Sequence, residues 1–94
     1  MNDMCVGVLN PGTIVLATAG KEKNGYYVIL KSEGEYVYLG DGKRLGIQKP
    51  KKKKLKHIAP TKICDEYIFR KISEGAEVTN KEIKRAISNY LKEN

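Results

Sequence analysis

The chain has 94 residues, 31% of them charged and 40% apolar, with a formal net charge of +7. That size predicts one small domain with no room for a large buried cavity. This composition does not fit a chain disordered throughout, and the longest apolar stretches are strand-sized, far below the roughly 20 residues of a helical membrane span.

In chain order, Thr13–Thr18 is rich in β-formers and bounded by Pro11-Gly12 and Gly20. Tyr26–Leu30 follows Asn24-Gly25, a dipeptide favoured in hairpin turns. Glu35–Leu39 is a third predicted strand, and Gly40-Asp41-Gly42 a turn. Gly46-Ile47-Gln48 and Lys54–Ile58 are short strand candidates. Short strands with glycine turns at this spacing predict a small barrel or sandwich over residues 10–59.

The period changes after Ile58. Pro60-Thr61 looks like a helix entry, with Ile63, Tyr67, Ile68 and Ile72 on one helical face and Gly75 as the stop. Asp65 and Glu66 fall in the first turn, where acids complement the helix dipole. Thr79-Asn80-Lys81-Glu82 is a capping-box pattern opening a second helix. Ile83, Ala86, Ile87, Tyr90 and Leu91 then mark an apolar stripe. Residues 60–94 are therefore expected to form a helical extension that covers an open barrel end or docks a partner. The expected class is mainly β with C-terminal helices, α+β.

The positive charge is concentrated. Residues 43–57 carry eight bases and no acid: Lys43, Arg44, Lys49, Lys51, Lys52, Lys53, Lys54 and Lys56. Such a field favours a polyanion. Lysine is a flexible point charge that suits phosphate better than base edges. The run reads as extended and solvated in the free protein, because its charges repel. His57 adds a group that contacts phosphate or stacks. Tyr26, Tyr27, Tyr36 and Tyr38 alternate with aliphatic residues and are expected to pack across strands, with base stacking as the alternative.

No catalytic or nucleotide-binding motif occurs, and no metal-ligand spacing. Cys5 and Cys64 with the one histidine do not make a four-ligand zinc site. Cys64 reads as a packed residue. The start of the chain lacks a basic, then apolar, leader. These features predict a cytoplasmic, monomeric non-enzyme with reduced thiols, no cofactor and no membrane partner.

The stretch Gly12–Ile29, with the loop Gly20-Lys21-Glu22-Lys23-Asn24-Gly25 between two strands, resembles a KOW motif. With Tyr36–Gly42, the lysine run ending in Lys56-His57-Ile58, and Thr79-Asn80-Lys81-Glu82-Ile83, the chain is similar to small bacterial KOW-domain RNA-binding proteins and to KOW-domain proteins of the large ribosomal subunit. The resemblance covers roughly residues 10–90. It implies an SH3-like β-barrel that binds RNA, commonly ribosomal, with ribosomal proteins as further partners. The loop's Lys21 and Lys23, with the backbone at Gly20 and Gly25, are expected to form a second RNA contact beside the run, a plain hairpin turn being the alternative. Glu22 departs from the loop's basic pattern. A protein-interaction adaptor built on such a barrel is the alternative function.

Overall fold

The computed structural model describes residues 9–93. The readings of Cys5 and of the chain start lie outside the described residues. Five strands form one antiparallel sheet: β1 (Thr13–Ala17), β2 (Tyr26–Glu33), β3 (Tyr36–Gly40), β4 (Lys51–Lys54) and β5 (Ile58–Cys64). Their order is β4-β3-β2-β1-β5. One turn of 3-10 helix, Leu55–His57, separates β4 from β5. Two helices follow, α1 (Glu66–Ser73) and α2 (Asn80–Glu93). The predicted α+β class with C-terminal helices is observed.

The sheet buries both faces of its central strands. Val15, Ala17, Tyr27, Ile29, Val37, Leu39 and Ile58 form one cluster on the inner face. Ile14 and Val28 point the other way and meet Ile68, Val78, Ile83 and Ala86 from the helical part of the chain. Strands covered on both sides read as continuous apolar runs rather than alternating ones. That is why Thr13–Ala17 carries no polar stripe. The helices thus cover the outer face of β1 and β2 rather than a barrel end.

Two irregularities shape the sheet. Ile29 opposes Leu39 but Lys31 opposes Tyr38, so Leu30 is an extra residue in β2. A bulge of this kind turns the following side chains to the other face. The second lies between β1 and β5, where the register shifts between Thr13 and Val15. Here the Thr61 hydroxyl donates to the Ile14 carbonyl at 2.7 Å.

Several elements differ from expectation. Pro60 and Thr61 belong to β5, not to a helix entry. Among the described residues β5 is an edge strand, paired with β1, and a missing N–H is tolerated there. Ile63 is consequently exposed and takes no part in α1. The helix instead starts at Asp65, whose carboxylate accepts from Ile68 N at 3.0 Å. Residues 46–48 form a turn rather than a strand. The stretch read as a last strand over Lys54–Ile58 holds the 3-10 turn, with strands on either side of it. Cys64 is disulfide-bonded, which corrects the expectation of reduced thiols.

The helix ends follow the sequence closely. Gly75, at φ 78°, closes α1: its N–H reaches Ile72 O at 3.1 Å and that of Ala76 reaches Lys71 O at 2.8 Å. At the start of α2, Thr79 N donates to Glu82 Oε1 at 2.9 Å while Glu82 N donates to Thr79 Oγ1 at 3.2 Å. Asn80 Oδ1 accepts from Ile47 N at 2.9 Å, which ties α2 to the loop before β4.

Glu82 also joins the two helices. It accepts from the Tyr67 hydroxyl at 2.7 Å and pairs with Lys71 Nζ at 3.1 Å. The Thr79 amide and then the Tyr67 hydroxyl, against desolvation and with Lys71 adding less, pull its pKa down to about 2. A carboxylate whose folded pKa lies below its unfolded value contributes stability that is complete above the unfolded value and lost as pH falls through the folded one. For Glu82 that window runs from about 4.5 down to about 2. Melting temperatures of the protein and of Glu82→Gln should therefore differ at pH 7, with a gap that narrows from about pH 4.5 downward and closes near pH 2. A constant difference down to pH 2 would contradict this.

Candidate nucleic-acid interface

The lysine run is a strand, and strand alternation splits it. In β4, Lys52 lies opposite Tyr38 and Lys54 opposite Tyr36, while Lys51 and Lys53 lie opposite Leu39 and Val37. Leu39 and Val37 face the inner core. Lys52 therefore joins the tyrosines on the outer face. Its Nζ stands 4.6 Å from the Tyr36 ring centroid and 5.9 Å from that of Tyr38. Lys31, brought to this face by the bulge, stands 5.7 Å from the Tyr38 centroid. Tyr36 and Tyr38 are half-buried, whereas Lys31, Lys52 and Lys54 are exposed. Glu33 tempers the charge at one margin: it accepts from the Tyr38 hydroxyl at 3.1 Å and lies 4.0 Å from Lys31 Nζ.

The four tyrosines thus have different roles. Tyr27 is buried in the inner cluster. Tyr26 packs on Tyr90 of α2, with ring centroids 5.2 Å apart. Tyr36 and Tyr38 remain for the lysine face.

Lys53 is set apart from its neighbours. It is 7% exposed, and its ammonium lies 2.6 Å from Glu22 Oε1. That hydrogen bond holds the Glu22 carboxyl below its ordinary pKa, against the opposing effect of burial. The acid that departs from the loop pattern and the lysine withdrawn from the run therefore neutralise each other. Gly20 leaves room for this pair, since a Cβ there would lie 2.7 Å from Lys53 Nζ. Gly25 serves a different contact: the Tyr27 ring packs against its Cα, and the left-handed turn residue is Asn24, at φ 75°. Both glycines thus accommodate side chains of the protein itself.

The other expected contact residues fall into two groups. Lys21, Lys23, Lys43 and Arg44 are exposed in the loops after β1 and β3. Lys21 and Arg44 border one small cavity together. Asp41 shapes the second loop by accepting from Lys43 N and Leu45 N, both at 2.9 Å. Lys49, Lys51 and Lys56 are exposed along β4 and its flanks, and His57 is half-buried. Lys31 was missed by sequence reasoning. Strict alternation from Ile29 assigns it to the inner face, and only the bulge at Leu30 reverses that.

Among the described residues no cluster of His, Cys, Asp and Glu could hold a metal ion, and no helix is long and apolar enough to cross a membrane. No protein-family model matches the chain, and no curated protein matches it.

Proposed function

We propose that the protein is a non-enzymatic RNA-binding module that docks on folded RNA through β4 and the outer face of β2 and β3. The observation that carries this reading is the Lys31–Tyr38–Lys52–Tyr36 array on a sheet face that the helices leave uncovered. Cations beside aromatic rings suit phosphate and base together. Lys54 extends the charge along the same face, Lys49, Lys51 and Lys56 are exposed on β4 and its flanks, and Lys21, Lys23, Lys43 and Arg44 flank at the loops.

An SH3-like barrel of the KOW type is the fold reading that accompanies it. In its favour, β1 has β2 and β5 as neighbours, and side chains from β1, β2, β3 and β5 converge in one inner cluster that Leu55 of the 3-10 turn joins. The KOW-like loop and lysine run support a setting on ribosomal RNA or in ribosome assembly.

Salt titration of RNA affinity tests the reading. Each phosphate neutralised contributes about −0.7 to the slope of log affinity against log salt on single strands and about −0.9 on duplex. The double variant Lys52→Glu, Lys54→Glu should bind a ribosomal RNA fragment at least about tenfold more weakly. Its slope should be shallower by about 1.4–1.8, and its melting temperature unchanged. Unaltered affinity and slope would overturn the proposal.

A further inference from the structure

The lysine–tyrosine face ends at a hollow of about 570 Å³, within the range of small-ligand sites. Tyr38 belongs to both, so the face and the hollow are continuous. The hollow lies between β2, the turn before β4 and the end of α1. Leu30, Ile72 and Val78 give it apolar walls, and Gln48 and Glu77 are its polar members away from the tyrosine. Lys31 is at once a lining residue and a cation of the face.

This distribution of chemistry is selective. Phosphates are drawn to Lys31 and Lys52, while the Glu77 carboxylate repels them. A carboxylate instead accepts from an exocyclic amine of a base, and an amide such as Gln48 both donates and accepts on a base edge. Aromatic and aliphatic walls match the faces of a flat heteroaromatic ring. We infer that the hollow receives one unpaired nucleobase of the bound RNA, so that the ligand is an RNA helix carrying an extruded nucleotide. This rests on the RNA-binding reading and names the class of RNA. The backbone would run over Lys31 and Lys52, with the extruded base lying past Tyr38 against Leu30 and Ile72. A base taken out of a bulge costs less to extrude than one taken from a pair.

The test compares one RNA hairpin with and without a single bulged adenosine, at one salt concentration. The bulged hairpin should bind at least about tenfold more tightly, the scale on which one base stacked on an aromatic ring acts. Ala76, exposed at the rim of the hollow, gives a filling variant. Ala76→Phe should abolish the preference and leave binding of the fully paired hairpin unchanged. A 2-aminopurine at the bulge should lose fluorescence on binding the unmodified protein, which reads stacking without any variant. Equal affinities for the two hairpins, or unchanged 2-aminopurine fluorescence, would overturn the hollow as a base site and leave the phosphate reading standing. Failure to bind either hairpin at low salt would overturn both.

Discussion

Replacing Ile83 by alanine should destabilise the protein by about 2–5 kcal/mol, the range for truncating a large buried aliphatic side chain. Ile83 sits in the first turn of α2 and is fully buried. It belongs to the cluster that joins Ile14 and Val28 of the sheet to Ile68 of α1. The contact therefore fixes both helices to the outer sheet face. Helices this short have little stability of their own, so their order depends on such side chains. In a domain of this size each kcal/mol shifts the melting temperature by about 4–8 °C, which puts the expected drop at about 10 °C or more. Leu91→Ala is the control on the same helix. Leu91 is 54% exposed, and its loss should change stability by less than about 1 kcal/mol. Thermal or urea unfolding of the two variants decides the matter. Equal small effects would mean that α2 does not pack on the sheet through Ile83.

Ile83 was legible in the sequence because helical periodicity and the capping box both point to it. The same holds for Gly75, where a helix stop and a left-handed glycine coincide, and for the β1–β3 meander, where glycine turns bound β-rich runs. What escaped were features set by pairing partners distant in the chain. A run of four lysines carries no strand signal. Lys51–Lys54 becomes one because β3 offers a free edge with Val37 and Leu39 facing inward. The Pro60-Thr61 pair looks like a helix start by local rules, but β1 holds it as a strand, with Thr61 bonded to Ile14 across the register shift. For the candidate interface, charge concentration marked the segment but neither its strand nor the division of its side chains. Only the register separates Lys52, which joins Tyr36 and Tyr38 on the outer face, from Lys53, which is inside. Lys31 depended on the bulge at Leu30, for which no local residue gives warning.

The second large effect concerns the Glu22–Lys53 pair, and it separates a structural lysine from the proposed contact lysines within one run. Both side chains are nearly enclosed, Glu22 at 13% and Lys53 at 8% exposure, and they meet at 2.6 Å. Removing one partner of a buried pair leaves an uncompensated charge and costs about 3–5 kcal/mol, whereas replacing both by apolar residues of similar volume is often neutral. Glu22→Leu should accordingly be strongly destabilising, and so should Lys53→Met, although Lys53 lies in a segment whose other lysines are exposed. The double variant Glu22→Leu, Lys53→Met should recover most of the loss, a coupling of about 2 kcal/mol or more in a double-mutant cycle. Lys52→Met, one residue away, removes a charge from the surface and should leave the melting temperature within about 2 °C of the parent. RNA affinity should divide the residues the opposite way. The charge of Lys53 is already matched by Glu22, so the double variant, once folded, should bind RNA as the parent does. Lys52→Met should bind more weakly. Additive losses in the double variant would show that the two side chains act independently. A double variant that is stable but has lost RNA binding would place Lys53 among the contacts after all.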